Sequence, residues 1–453
     1  MKGLENDTIV AIATALSNSA ISIIKVSGDE AIEIVNSVFK GKDLTKVKSH
    51  TIHYGYIIND NQVIDEVLVS VFKAPKTFTT EDVVEVNCHG GIFVTNKILE
   101  LLIVKGARMA EPGEFTKRAF LGGRIDLTQA EAVIDIIESN TNNSLKMASL
   151  GLMGETKKII KKFRDEVLEC LLKVEVNIDY PEYEDEEQIT TDILLPRLNQ
   201  LANEMDEVLA KCEISKILKY GIKTAIIGKP NVGKSSLLNA LIREDKAIVS
   251  NIAGTTRDIV EGEINIGGIV LHLIDTAGVH ETNDFVEKIG VEKTKNVIKD
   301  ADLVILVFDN NSVLSDNDKL LLDLTKDKKR IIVVNKKDLE NKINLDMLEK
   351  PLLISSFDEN DIHLIEEKIK DICEVSNVTS IDSTYIGNTR HISKLKIAKI
   401  QLLDAIDSLN KGMPIDIASI DMNNCWTTLG EIMGEVTSED LINELFSRFC
   451  LGK

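Results

Sequence analysis

Residues 228–235 read Gly228-Lys229-Pro230-Asn231-Val232-Gly233-Lys234-Ser235, and the fold turns on them. A short apolar run, Ala225 to Ile227, leads in, and Leu237, Leu238, Ala240 and Leu241 follow at helical spacing. Strand, glycine-rich turn and helix in that order are the context a phosphate loop requires. Gly228 and Gly233 let the backbone curl so that successive N–H groups face one point. The helix begun at Lys234 adds the partial positive charge of its N-terminus. In such a loop the lysine reaches the β- and γ-phosphates and the hydroxyl after it ligates Mg²⁺. Those roles fall to Lys234 and Ser235, within a candidate binding segment of Asn231, Val232, Gly233, Lys234, Ser235 and Ser236.

Three further motifs follow in order. Asp275-Thr276-Ala277-Gly278 ends an apolar strand, Ile269 to Ile274. A carboxylate there holds Mg²⁺ through water, and the Gly278 N–H meets a γ-phosphate. Asn335-Lys336-Lys337-Asp338 ends a second strand, Ile331 to Val334. The Asp338 carboxylate suits the two N–H donors on the edge of guanine, a pair that adenine lacks. Between these motifs, Ser250-Asn251-Ile252-Ala253-Gly254-Thr255-Thr256 runs into Arg257-Asp258 in a loop suited to a switch. One of its threonines completes the Mg²⁺ shell when triphosphate is bound. The four motifs together predict an α/β domain that binds and hydrolyses GTP. Ser355-Ser356-Phe357 is a loose match to a last guanine-contacting loop, and His280 stands where an arginine is common.

The chain has 453 residues and a formal net charge of −20. That length predicts several domains. That charge excludes holding nucleic acid by bulk attraction, so any such contact needs a local patch or a basic partner. No run of about 18 apolar residues predicts a membrane span, and the N-terminus has no signal-peptide pattern. Six scattered cysteines without a C-x-x-C pair suggest a reducing cytoplasm and no structural zinc.

Residues 1–118 read as mixed α and β. Thr8–Ala13 and Ala20–Val26 are strand-like, and Asp29–Phe39 has helical spacing. Thr51–Ile58 and Val63–Phe72 flank an Asn-Asp-Asn turn, a hairpin signal. Val83–Val86 is a further strand, and Ile92–Lys105 a helix. Cys88-His89-Gly90-Gly91 reads as a strand end and turn rather than a metal site, since no second pair lies at ligand spacing. Residues 119–215 read as helical, with stripes at Ile160, Phe163, Val167, Leu171, Val174 and at Leu194, Leu198, Leu201, Met205, Val208. Ile178-Asp179-Tyr180-Pro181 and an acidic run to Glu187 interrupt them. Helical texture returns over 377–453, with Leu395, Ala398, Leu402, Ile406 and Leu409 on one face. Leu441, Leu445 and Phe449 follow, entered by Thr437-x-x-Asp440, a capping-box-like start. The expected fold is therefore multidomain: an α+β N-terminal domain, an all-α domain in two parts, and an α/β P-loop domain, 216–376, inserted between them.

These residues carry a family likeness. Asp7-Thr8-Ile9-Val10-Ala11, Glu85-Val86-x-x-His89-Gly90-Gly91, Pro112-Gly113-Glu114-Phe115-Thr116-x-Arg118-Ala119-Phe120, Asp126-Leu127-x-Gln129-Ala130-Glu131-Ala132 and the closing Phe449-Cys450-Leu451-Gly452-Lys453 stand at the matching places. With them the chain resembles, end to end, the bacterial and organellar tRNA-modification GTPases called MnmE or TrmE. The resemblance implies a tetrahydrofolate-binding, dimerising N-terminal domain and GTP hydrolysis helped by potassium. It implies a homodimer that joins an FAD-dependent partner of the MnmG type in a heterotetramer. Together they would add an aminomethyl or carboxymethylaminomethyl group to C5 of the wobble uridine of certain tRNAs, the tRNA held mainly by the partner. The carbon would come from 5,10-methylene-tetrahydrofolate.

Residue by residue, the resemblance puts K⁺ on Asn231, Ser250, Ile252 and Thr255, and Mg²⁺ on Ser235 and Thr256. Glu287 would orient the attacking water. For the folate, with 5-formyl-tetrahydrofolate as a binding analogue, it points to Lys25, Glu85, Arg124 and Lys453. Lys25 stands where the family has arginine, which keeps the charge and loses bidentate carboxylate binding. Leu16-Ser17-Asn18-Ser19 replaces the family's glycine-rich loop. Cys450 matches a cysteine considered for chemistry at the folate; a thiolate there would need a positive neighbour, Arg448 or Lys453, and Phe446 and Phe449 fit an ordinary packing role as well. Two other readings share the motifs: a nucleotide-switched scaffold that regulates the flavoprotein, and a ribosome-assembly GTPase.

Overall fold

The computed structural model describes residues 7–179, 191–243, 262–274, 287–375, 381, 384–435 and 438–452. They fall into two compact units, one built from the chain up to Ile134 with Leu429 onward, the other from Asp135–Thr428.

The first unit is a sheet of β1 (Ile9–Ile12), β2 (Ile21–Ser27), β3 (Phe39–Lys40), β4 (Thr51–Asn59), β5 (Gln62–Phe72), β6 (Val83–His89) and β7 (Arg108–Met109). The strand order is β3-β4-β5-β6-β2-β1-β7. Alternation sorts its side chains. Val10, Ile24, Val26, Val69, Val84 and Val86 point to a core shared with α1 (Ala31–Val38) and α2 (Ile92–Val104). Lys25 and Glu85, on the other parity, sit opposite one another across β2 and β6. The β4–β5 turn is Asp60-Asn61, with φ of +45° and +69°. Those left-handed angles suit Asp and Asn and match the twist of a hairpin. Cys88-His89 ends β6, and Gly90 turns the chain where any Cβ would lie 2.3 Å from the Ser19 carbonyl oxygen. His89 Nδ1 donates to Asp65 Oδ1, at 2.7 Å.

Helix α3 (Glu114–Leu121) and most of α4 (Leu127–Ile137) also belong to this unit. Phe446 and Phe449, from the helix Glu439–Ser447 and its end, pack with Leu127, Ala130 and Phe120. That apolar contact is why the unit reaches beyond residue 118 and takes in the chain end, where the sequence pattern places a helical segment 377–453. Gly113 permits the approach: its φ is +70°, and a Cβ would lie 2.5 Å from the Phe446 carbonyl oxygen. The helix Glu439–Ser447 is capped by Ser438, whose Oγ accepts from the Leu441 N–H. The expected Thr437 cap lies outside the described residues.

The second unit joins helices and a second sheet. Its helices are α5 (Asn142–Leu152), α6 (Glu155–Asp179), α7 (Thr191–Tyr220), α8 (Lys234–Arg243), α9 (Glu287–Asp300), α10 (Asp316–Leu324), α11 (Glu359–Ile372), α12 (Thr389–Asn410) and α13 (Ile415–Met433). The predicted stripes on α6, α7 and α12 are buried throughout, from Ile160 to Leu409. Strands β8 (Ile222–Ile227), β9 (Glu263–Ile266), β10 (Ile269–Leu273), β11 (Leu303–Asp309), β12 (Lys329–Asn335) and β13 (Leu352–Leu353) form a sheet in the order β13-β12-β11-β8-β10-β9. All neighbours pair in parallel except β9 with β10. Helix α7 hands the chain straight to β8 through Gly221, at φ +70°. Among the described residues, no helix is long and apolar enough to cross a membrane.

Candidate nucleotide-binding site

Strand β8 lies mid-sheet with β10 on one side and β11 on the other. Strand order reverses there, and loops leaving the carboxyl ends of such strands form the usual ligand crevice of an open α/β sheet. Three described loops meet at that edge: 228–233 after β8, 309–315 after β11, and 335–338 after β12.

The first is tightly bent. Asn231 sits at φ +63° and Gly233 at φ +96°. A Cβ on Gly228 would lie 2.3 Å from the Val307 carbonyl oxygen, and one on Gly233 2.1 Å from Asn335 Nδ2. Both positions thus require glycine for closeness, and Gly233 for its angle as well. Lys234 opens α8 and folds back, its Nζ donating to the carbonyls of Gly228 at 2.9 Å and Lys229 at 2.7 Å. Burial lowers its pKa from the ordinary lysine value. Ser235 and Ser236 occupy the first turn of α8.

The loop after β12 is clamped onto this turn. Asn335 Nδ2 donates to the Val232 carbonyl at 3.1 Å. Lys336, at φ +65°, donates from Nζ to the Asn231 carbonyl at 2.7 Å and to Asp309 Oδ2 at 2.6 Å. Asn335 Oδ1 accepts from both the N–H and the Oγ of Ser356, at 3.1 and 2.9 Å. Lys337 pairs with the buried Asp361, which also accepts from the Ser355 N–H. Asp338 then stands exposed at the loop's outer end.

The structure thus brings Asn231, Val232, Gly233, Lys234, Asn335 and Lys336 together and seats Ser355-Ser356 beside them. Ser250 to Thr256, Asp275 to Gly278 and Lys453 lie outside the described residues. Glu287 begins α9, and its side chain is outside them too. Asp309, Asp361 and Asp318 were not singled out in the sequence. Asp309 had a signal, an acid closing the apolar run of β11; Asp361 and Asp318 look like ordinary helix-start carboxylates.

A second cluster lies in the first unit. Lys25 Nζ stands 5.0 Å from the Phe78 ring centroid and 5.2 Å from that of Phe115. The Arg124 guanidinium lies 5.2 Å from the Phe78 centroid and donates to the Thr77 carbonyl. With Glu85 across from Lys25, two cations, a ring and a carboxylate gather on one part of the sheet. The chain end approaches the same sheet. Gly113 N–H donates to the Cys450 carbonyl at 3.4 Å, and Gly452, at φ +87°, lies where a Cβ would come within 2.5 Å of the Ile12 carbonyl oxygen. Cys450 is exposed. Arg448 is engaged elsewhere, with Glu444 at 2.9 Å. No grouping of three or more His, Cys, Asp or Glu side chains that could hold a metal ion occurs among the described residues.

A parallel sheet with a lysine-bearing glycine loop at its switch point, clamped to an Asn-Lys-x-Asp loop, defines the class: P-loop GTPase-type proteins. The family comparisons narrow it. Residues 8–124 match the model described as GTP-binding protein TrmE N-terminus, and residues 127–450 the model described as MnmE helical domain. The chain is 50% identical over 458 residues to the tRNA modification GTPase MnmE of Bacillus cytotoxicus, covering 99% of this chain and 100% of that one. It is 52% identical over 454 residues to the namesake from Streptococcus pyogenes serotype M4, covering 99% of each. A solved structure, the G domain of the T. maritima FeoB iron transporter, is 32% identical over 33% of this chain and 98% of its own, with a TM-score of 0.26, too low to define a fold. This chain belongs to the MnmE family of tRNA modification GTPases.

Proposed function

We propose that the chain binds GTP with Mg²⁺, hydrolyses it with help from K⁺, and thereby drives modification of C5 of the wobble uridine of certain tRNAs in the cytoplasm. The observation that carries the nucleotide reading is the clamp of Asn335 and Lys336 on the backbone of Asn231 and Val232. It sets a guanine-selective loop, with Asp338 at its end, a fixed distance from the phosphate turn. Asp275 to Gly278 complete that site in this reading.

The donor sets fit the ions. Ser235, at the start of α8 directly after the turn, and Thr256 would hold Mg²⁺. Asn231, exposed at the tip of the turn, would hold K⁺ with Ser250, Ile252 and Thr255. A cation there supplies charge to offset what builds on the transferred phosphoryl group. Glu287 would orient the attacking water through hydrogen bonding. The G domain, 216–376, is taken as an insertion between helical parts 119–215 and 377–453, so that nucleotide state moves it as a unit. The 1–118 domain would pair two copies.

The Lys25–Phe78–Arg124 cluster fits a folate: an aromatic face for a flat ring, Glu85 for its N–H edge, cations for its glutamate tail. When bound, that group supplies a one-carbon unit. Lys25, Arg124 and Lys453 would bind it, and Cys450 lies on the same unit as a candidate nucleophile. An FAD-dependent partner and the tRNA complete the assembly.

The test is a comparison of salts. GTP hydrolysis runs faster in KCl than in NaCl, and Asn231→Ala removes the difference. Equal rates in both salts for the unaltered chain sink the potassium reading. Calorimetry with 5-formyl-tetrahydrofolate tests the folate cluster, and mass spectrometry of wobble uridines in a deletion strain tests the tRNA role; absence of heat, or unchanged uridines, counts against each.

A further inference from the structure

The phosphate turn has a second clamp, on its other shoulder, from a residue outside the four motifs. Lys229 Nζ pairs with Asp318 Oδ2 at 2.5 Å. Asp318 sits in the first turn of α10 and closes a capping box there. The same Oδ2 accepts from the N–H and Oγ of Ser315, at 2.8 and 2.9 Å. Aspartate side chains are mostly exposed, yet that of Asp318 is only 6% exposed. It faces the phosphate turn instead.

The position of Lys229 matters. Its carbonyl is one of the two oxygens that hold Lys234 Nζ, at 2.7 Å. The turn between them contains Asn231, at φ +63°, a conformation that costs energy in a residue with a side chain. Such a turn keeps its shape only when its surroundings fix it. One shoulder is fixed by Asp309 through Lys336 to the Asn231 carbonyl. The other is fixed by Asp318 through Lys229. Both carboxylates come from one segment, the end of β11 and the start of α10. That segment therefore grips the turn at two points three residues apart or closer, with the lysine that must meet phosphate held next to one of them.

We propose that Lys229 and Asp318 are a positioning pair that presets the phosphate turn and the Lys234 ammonium for a nucleoside triphosphate. The pair touches no substrate. It holds the Lys229 carbonyl where Lys234 is parked and so fixes where that ammonium points. The inference rests on the GTP-binding reading above and deepens it.

Full-length chain is titrated with a fluorescent GDP analogue, and steady-state GTP hydrolysis is split into KM and kcat. Lys229→Met keeps the apolar stem; Asp318→Asn keeps the Ser315 N–H acceptor. Each is expected to weaken nucleotide affinity and raise KM about tenfold, equivalent to about 1.4 kcal/mol. The kcat at saturating GTP stays within about twofold. The double variant is no weaker than the weaker single, because the two changes remove one interaction. Lys229→Arg restores KM. The melting temperature of the nucleotide-free chain is measured for every variant. If KM follows melting temperature across the set and Lys229→Arg does not rescue, the pair is only structural and the proposal is overturned. Unchanged KM in both single variants, or additive effects in the double, overturn it too while leaving the GTP reading intact. If the unaltered chain binds no labelled GDP, both fall together.

Discussion

Two groups of charge in this molecule, each partly withdrawn from water, are built on opposite plans. In the first unit Arg118, 4% exposed, meets Asp7 at 2.7 Å, Glu81 at 3.0 Å and Glu114 at 3.0 Å. Arg108 joins the cluster, pairing with Glu114 at 2.6 Å and with Asp7. Every cation there has carboxylates for partners. In the second unit Lys234 is half-buried, and among the described residues its ammonium is bonded only to two backbone carbonyls. The closed cluster raises the pKa of Arg118, burial notwithstanding, through Glu81, Glu114 and Asp7. The open one lowers the pKa of Lys234 through burial alone. A network of paired charges holds structure together; a partly desolvated cation with no counter-charge among the described residues would suit an anion that arrives later.

The comparison is broken most forcefully by removing Arg118. Arg118→Ala takes the arginine from Glu81 and leaves Asp7 and Glu114 with Arg108 alone. It should destabilise the first unit by about 3–5 kcal/mol, the usual cost of taking one partner from a buried ionic network. Urea unfolding of the full chain measures it, with KM for GTP as the control that should not move. The pH dependence sharpens the result. Burial pushes Asp7 and Glu114 upward, but their hydrogen bonds with Arg108 and Arg118 outweigh it and hold both carboxyls below the ordinary range. A depressed folded-state pKa stabilises above the unfolded value of about 4 and is lost as pH falls through the folded one. Acid unfolding of the unaltered chain therefore begins below about pH 4, and Arg118→Ala moves it upward. If the acid midpoint stays put, the cluster is not what ties this unit together.

Lys234→Ala tests the open plan. If the Lys234 ammonium meets the phosphates, its loss should cut kcat/KM for GTP about 10²- to 10³-fold, the range for removing a group that meets developing charge. Stability should hold or rise slightly, since a desolvated ammonium leaves the fold. A large drop in melting temperature without a matching loss of GTP turnover would reverse the assignment of the two clusters.

Much of this was legible in advance, and the reasons differ by region. The stripes of α6, α7 and α12 could be read because a helix that packs on one face must repeat its apolar residues every three or four positions. The phosphate turn could be read because glycine and lysine are forced at fixed spacing. The ionic partners could not. Asp7 and Glu81 lie far from Arg118 in sequence, and a carboxylate near a helix start, such as Asp318 or Asp361, reads the same whether it caps its own helix or holds a neighbouring loop. The chain end shows the limit from another side. Phe446, Phe449 and Gly452 read as a helical tail; the packing of the two rings on Leu127 and Ala130, and the close approaches of Gly113 to the Phe446 carbonyl and of Gly452 to that of Ile12, join them to the first unit. Neither glycine carries that information in a single sequence.

The finest test of the open plan lies at its margin, in Ser356. Its N–H and Oγ both end on Asn335 Oδ1, and Asn335 Nδ2 reaches the Val232 carbonyl. Ser356→Ala deletes the Oγ bond alone and leaves the backbone one. A neutral bond of this kind is worth about 0.5–1.5 kcal/mol, so GDP and GTP should bind about two- to tenfold more weakly, by the same factor for both. Equal loss for the two nucleotides is the informative part. Ser356 supports the loop that would meet the base, whereas Lys234 would meet the phosphates, so loss of Lys234 should weaken GTP more than GDP. A Ser356→Ala variant that discriminates against GTP would mean that the two loops act as one device and that base and phosphate recognition cannot be separated along the Asn335–Val232 contact.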